Sequence, residues 1–528
     1  MKKNILKIIF LIPAFGFLVS CNKDLNRVPT NDKTADQIYS TFSGYQEAFA
    51  KVYGAYALTG NIGPANSTPD GGDIQGIDEG FSDFLRMYFQ AQELPTDEAV
   101  IAWGDIGIQD FHNMNWSSDN PFITGLYYRC YFQITLCNEF LRQSTDQVVA
   151  SRGITGSNAA AIKRFATEAR FLRAFQYGVI MDLYGTGPFV TETDAPLGTF
   201  VPKQASRSQL FNYVTSELLA IEPDLADPMT NEYGRADKAA DWALLARTYL
   251  NAEVYTGTQK YDSALIYAQK VINAGYSLLP DYRQLMLADN NVDNTEAILT
   301  INYDGLKTQG YGGTTYLTHA ENGGSMAGSV TGVGGGWAGL RTTKMLPDLF
   351  TNPQDQRAEF YTAGQSLDIA DQTQFPDGYA VIKYRNVKKN GMPGSSLDFS
   401  DIDFPLFRLA EMYLIYDEAY LRGGGGDLTT ALGYFNALRT RAYGGSTAGN
   451  VASIDLDLIL DERSRELYWE GFRRTDLIRY GRFTTSAYLW PWKGGVANGQ
   501  AVADYRNIYP LPSSDVSANP NLKQNPGY

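Results

Sequence analysis

The chain has 528 residues, enough for about two to four domain-sized pieces and for a large core that needs no disulfide staples. Its 58 acidic against 44 basic residues leave a net charge of −14, which excludes the basic face that binding to nucleic-acid phosphates requires. Only two histidines, His112 and His319, stand beside 69 aromatic residues (27 Phe, 7 Trp and 35 Tyr). That shortage excludes an HExxH helix, a histidine metal cluster and a facial triad. The nucleophile signature GxSxG does not occur.

Residues 1–21 read MKKNILKIIFLIPAFGFLVSC. Lys2, Lys3 and Lys7 precede an apolar core at residues 8–19 that is too short to span a bilayer as a stable helix. Leu18-Val19-Ser20-Cys21 resembles a bacterial lipobox, which implies cleavage before Cys21 and acylation of that cysteine. The expectation is a signal peptide at 1–20, a lipid-anchored tether at 21–33 and a protein held to a membrane without crossing it. Asp24, close to the anchor, is compatible with export to the outer face of an outer membrane.

Further along, residues 54–125 are rich in Gly, Asn, Asp, Thr and Pro and read as a loop-rich insertion. Cys130 and Cys137 follow in an aromatic, helix-like stretch. Two helical turns separate them, roughly 10 Å, too far for a disulfide on one straight helix, so both read as small buried residues. Over residues 163–183 apolar side chains at Phe165, Ala169, Leu172, Phe175, Val179 and Leu183 line one helical face, which ends at a Gly/Pro stop.

A repeated pattern comes next. Trp242, Leu245 and Tyr249 are followed by Ala264, Ala268 and Val271, and the same spacings return at Tyr413, Tyr416 and Tyr420, then Ala431, Phe435 and Leu438. These offsets match the facing positions of tetratricopeptide helix pairs, where one helix offers bulk and the other alanine. Between the pairs, residues 276–404 form a second loop-rich block. Its extreme is GVGGGWAG at 332–339, which lacks the spacing of a nucleotide loop. Asp289, Asn291 and Asp293 alternate oxygen donors of the kind a structural calcium accepts, although a solvated Asx-rich loop accounts for them better. The dense charges of residues 459–480 read as a helix laced with internal ion pairs. The fold expected is mainly α: a single helix-pair domain over residues 34–528 whose two insertions meet on one surface.

The lipobox, EARFLRAFQYGVIMDLYGTGPFV, GRADKAADWALLARTYLNAEVYTG, FPLFRLAEMYLIYDEAYLRGG, LDERSRELYWEGFRRTDLIRYGRF and the tail YPLPSSDVSANPNLKQNPGY all resemble the RagB/SusD family. The likeness spans essentially the whole chain. It implies a tetratricopeptide-like α-helical fold and a non-catalytic, cell-surface glycan-binding lipoprotein of the outer membrane that works with a SusC-like TonB-dependent transporter. The loop motifs GIDEG, QELPTDE and YGGTTY resemble the starch-binding members. By that likeness Tyr311 and Trp337 belong to an aromatic arc for an α-glucan, and Asp78 and Arg86 hydrogen-bond sugar hydroxyls. Ile101 and Ile106 stand where those members have tryptophan and asparagine, with Trp103 a substitute platform.

The residue types suit a sugar on their own account. A pyranose has an apolar C–H face that stacks on Tyr or Trp, while Arg presents a planar fork and Asp an acceptor to hydroxyls. Trp337 stands among glycines with few neighbouring side chains to bury it. Two other readings stand beside this one. Carboxylates such as Asp78, Glu79, Asp97 and Glu98 permit a glycoside hydrolase, which needs two of them at a set separation. The same surface role with a different glycan or peptide cargo is the other, and Ile101 keeps it open.

Overall fold

The computed structural model describes residues 34–60, 72–195 and 200–528. The signal peptide, the tether and Cys21 lie outside the described residues. The principal helices are α1 (Phe42–Gly54), α2 (Phe84–Glu93), α3 (Pro121–Gln143), α4 (Gly156–Leu183), α5 (Arg207–Ile221) and α6 (Lys238–Leu250). They continue as α7 (Tyr261–Ile272), α8 (Gly313–Ala320), α9 (Leu409–Leu421), α10 (Leu428–Ala442), α11 (Leu456–Leu467) and α12 (Arg473–Arg479).

Their ends are written locally. Asn120 accepts the N–H groups of Phe122 and Ile123 ahead of Pro121, Ser206 and Gln209 form a capping box, and Asp237, Asp427 and Asp455 cap α6, α10 and α11. Each such cap satisfies orphan donors and stabilises its helix by about 1 kcal/mol. The stripe expected at 163–183 lies within α4, which stops at Gly185 in the left-handed region, φ 70°. Cys130 and Cys137 are free and fully buried on α3, and burial pushes the Cys137 thiol up to about 12.

The repeated pattern becomes α6 packed on α7 and α9 packed on α10, with α7 against α9 joining the pairs. One detail differs from expectation. In the first pair Ala239, Ala243, Leu245 and Ala246 on α6 and Ala264, Ala268 and Val271 on α7 are fully buried, whereas Trp242 and Tyr249 are half-buried. The bulky rings close its margins instead: Tyr249 stacks on Tyr267 with centroids 5.7 Å apart, and Tyr413 on Tyr434 at 4.6 Å. Small residues let backbones approach, and amphipathic tyrosines then cover the edge while keeping a polar tip in water. α3, α4 and α5 extend the array, and a short antiparallel pair, β2 (Ala297–Ile301) with β4 (Phe404–Arg408), packs against α6 and α9.

The charged run is not one helix: it breaks into α11 and α12 at Tyr468–Phe472, with Trp469 left-handed at φ 63°. The internal pairs expected of it are present, as Glu462–Arg465, Arg463–Asp476 and Arg479–Asp476, and its charges also turn inward to partners far along the chain. Glu466 binds Arg357, Arg408 and Arg441; Glu462 binds Arg357, Arg439 and Arg465; Glu470 binds Arg408 and Lys383. Among these residues the carboxylates, Arg357, Arg408 and Lys383 are at most 1% exposed. Desolvation on this scale is tolerable only because every charge has several partners, so the network fixes which segments meet more than it adds net stability.

The two insertions also contain more order than their composition suggests. α2 and α8 are buried on almost every side. Both bury polar side chains beside apolar ones, Arg86, Gln90, Gln92 and Glu93 in α2 and Thr314, Thr315, Thr318 and His319 in α8, so composition does not mark them as core.

Candidate functional site

Both insertions converge at the pairing of β1 (Val100–Ile101) with β3 (Leu340–Arg341). Just beyond it, Ala102 donates to Gly339 O at 2.9 Å, which sets Trp103 beside Trp337. Their ring centroids are 6.3 Å apart, and Trp103 Nε1 donates to Trp337 O at 2.9 Å. Tyr311 lies 6.2 Å from Trp337 on the other flank. The planes incline by 46° and 61°, so three partly exposed rings form a bent, open platform.

Glycines in 332–339 make the approach possible. A Cβ on Gly336 would stand 2.1 Å from Asn322 O, and one on Gly339 would stand 2.5 Å from the Trp103 ring. The backbone of this loop is strapped to the end of α8 by Trp337 N to His319 O, Ala338 N to Asn322 O and Gly339 N to Ala320 O, each 2.8 Å. A single carboxylate joins the two insertions from below. Asp83 Oδ1 accepts Arg86 N at 2.9 Å, capping α2, and Gly313 N at 2.8 Å at the start of α8.

Asp78 is exposed at the platform's margin, its Oδ1 accepting Gly80 N at 2.9 Å. Arg86 differs from expectation: it is only 3% exposed and lies beneath the platform, not on it. Its Nη1 donates to Gly80 O at 3.0 Å and Tyr311 O at 2.9 Å, and its guanidinium lies 4.4 Å from the Phe81 ring centroid and 4.6 Å from that of Tyr316. Burial lowers its pKa below the ordinary arginine value. Arg86 therefore holds the Tyr311 backbone against the Asp78 turn.

Ile101 is fully buried in β1 opposite Leu340. It is a core residue of this chain, and Trp103, two residues on, is the side chain that reaches the platform. Ile106 is 88% exposed on the loop that follows. His319, Tyr316 and Phe399 also back the platform, with centroid distances of 4.7 Å to Trp337, 5.9 Å to Trp103 and 5.7 Å to Tyr311. Sequence reading missed them, though the three-residue spacing of Tyr316 and His319 places both on one helical face.

Two of the four carboxylates that left hydrolysis open, Asp97 and Glu98, are engaged elsewhere. Asp97 accepts Nε and Nη2 of Arg473 at 2.7 and 2.6 Å, Glu98 accepts Ser464 Oγ at 2.5 Å, and both are 1% exposed. Burial raises the Glu98 carboxyl to about 7 against the pull of Arg473. Neither faces a substrate cleft. Asp289 accepts the backbone N–H of Lys389 at 2.9 Å, Asp293 adopts φ 53°, and Asn291 and Asp293 are exposed. Among the described residues no group of three or more His, Cys, Asp or Glu is placed to hold a metal ion. Among the same residues no helix is long and apolar enough to cross a membrane.

Fold and site define a helix-pair scaffold that presents a loop-borne aromatic platform, a ligand-binding architecture. The SusD family model matches residues 356–528. The starch-binding protein SusD of Bacteroides thetaiotaomicron is 35% identical, with all of both chains covered. SusD-like protein P2 of Formosa agariphila is 25% identical over 80% of this chain and 83% of that one. Among solved structures, surface glycan-binding protein A of Bacteroides thetaiotaomicron in complex with laminarihexaose superposes with a TM-score of 0.67 at 20% identity, covering 92% of this chain and 99% of that one. The chain belongs to the SusD family, and it is a non-catalytic binding protein.

Proposed function

We propose that the chain binds starch-derived α-glucans at the cell surface and delivers maltooligosaccharides to a SusC-like TonB-dependent outer-membrane transporter. The observation that carries this reading is the bent trio of Trp103, Trp337 and Tyr311, brought together from two insertions and left partly exposed. Rings inclined to one another suit successive sugar faces of a curved chain, and Asp78 at the margin is an acceptor for hydroxyl donors. Arg86 serves by fixing Tyr311. Residues 1–20 act as a signal peptide, Cys21 carries the lipid, residues 21–33 are the tether, and residues 34–528 form one domain facing the exterior.

Neutral hydroxyl contacts contribute about 1 kcal/mol each, so stacking must supply much of a micromolar affinity. Retardation in starch-containing native gels should be clear for the wild type and reduced for Trp337→Ala. Wild-type migration indifferent to starch would end the proposal.

A second reading keeps the role and changes the cargo. Ile106, at 88% exposure, offers no hydrogen bond where a polar contact was expected, and a structural relative is solved with laminarihexaose. Calorimetry with maltoheptaose against laminarihexaose separates the two: preference for the former supports the first reading, preference for the latter the second.

A further inference from the structure

We infer that His319 is a positioning residue of the platform, the rear stacking partner that holds the Trp337 ring at its working angle. The inference rests on the platform's being the binding surface, and it adds a residue that touches no ligand.

The geometry is specific. The imidazole lies under the indole with centroids 4.7 Å apart and planes inclined by 22°, a stacked pair. Its own angle is fixed, because Nδ1 lies 2.7 Å from Gly335 O and the ring is 4% exposed. The same residue's carbonyl accepts Trp337 N at 2.8 Å. Three ties thus run from one residue to the segment 335–337: ring to ring, ring nitrogen to carbonyl and carbonyl to amide.

The need for such a clamp follows from the loop. Gly334, Gly335 and Gly336 lack side chains that could brace the indole, and Ala338 sits at φ 51°. A glycine-rich loop left alone would lose conformational entropy each time a ligand fixed the ring, and a stacked partner removes that cost beforehand. The bond to Gly335 O requires a proton on Nδ1, which the neutral ring supplies. Burial lowers the His319 pKa below 6.5, opposed by its bond to Gly335 and by Asp398, the charged group facing it.

The test separates stacking from the hydrogen bond. His319→Phe keeps a ring, His319→Asn keeps a donor without a stackable ring, and His319→Ala keeps neither. Calorimetry with maltoheptaose should show His319→Ala and His319→Asn weakened by about 3- to 10-fold, the worth of one aromatic pair, and His319→Phe restored to within about 2-fold of wild type. A His319→Phe as weak as His319→Ala, or all three equal to wild type, would overturn the inference.

A ligand-free readout guards against misfolded variants. An imidazolium stacked on indole quenches its emission. The emission difference between wild type and Trp337→Phe should therefore fall as pH drops below the ordinary histidine range, with no such fall in His319→Phe. A fall of the same size in His319→Phe would also overturn it. Should no glucan bind the wild type, the emission experiment still reports on His319, so failure of the functional reading and failure of this one remain distinct.

Discussion

Adding one methyl group at Gly339 probes the platform most directly. In Gly339→Ala the new Cβ would stand 2.5 Å from Cε2 and 2.8 Å from Nε1 of Trp103. That is about 1 Å inside the contact distance of non-bonded carbon atoms. The backbone cannot retreat, because Gly339 N donates to Ala320 O at 2.8 Å and its carbonyl accepts Ala102 N at 2.9 Å and Arg341 Nη1 at 3.1 Å. The half-exposed Trp103 ring must swing outward and release its bond to Trp337 O. Overpacking of this kind costs about 1–3 kcal/mol, and the lost hydrogen bond about 1 kcal/mol more if it finds no substitute. Urea unfolding should therefore show a loss of about 2–4 kcal/mol, and calorimetry with maltoheptaose an affinity lower by about tenfold as two of the three rings lose alignment. Gly335→Ala is the control. Nothing lies within 4 Å of its Cβ and its φ is outside the left-handed region, so stability should hold or rise by about 0.4–1 kcal/mol. If the two alanine variants behave alike, the packing argument for this loop is wrong.

Two further outcomes follow from the buried charges. Arg473→Ala strands Asp97 inside the protein, both partners being at most 3% exposed, and chemical denaturation should register a loss of about 3–5 kcal/mol. Arg482→Ala, whose partner Asp457 has a side chain 77% exposed, should cost under about 1 kcal/mol; equal losses would refute the burial argument. Acid should also unfold the protein through Glu462. Burial works to raise that carboxyl, but Arg357, Arg465 and Arg439 outweigh it and hold it down to about 2 from 4.5. Between those values the unfolded chain binds more protons than the folded one. The stabilisation is thus complete above pH 4.5 and lost as pH falls through about 2. Melting temperatures followed over this window should fall more steeply for wild type than for Glu462→Gln, and parallel curves would count against it.

Much of the scaffold was legible because helices are local. The α4 stripe, the Gly185 stop and the Asp, Asn and Ser caps act over three or four residues, and the paired offsets of α6/α7 and α9/α10 recur within one repeat. Trp337 was legible for a related reason: a large ring amid glycines has no local burial to explain it. Where the charges of residues 459–480 would point was not, since a charged stripe looks the same whether water or a distant carboxylate faces it.

By itself, the sequence determined a helix-pair protein with two loop-rich insertions and a few aromatic residues that local packing did not account for. Tertiary structure decided which rings form the platform and what supports them. Trp103 meets Trp337 across 234 residues, and Arg86 reaches Tyr311 across 225. Only those meetings place Ile101 in the core, Trp103 on the surface and Arg86 beneath it. Local sequence sets a residue's direction relative to its own helix or strand; whether that direction leads to water, to a ligand or to another side chain depends on what the rest of the chain packs there.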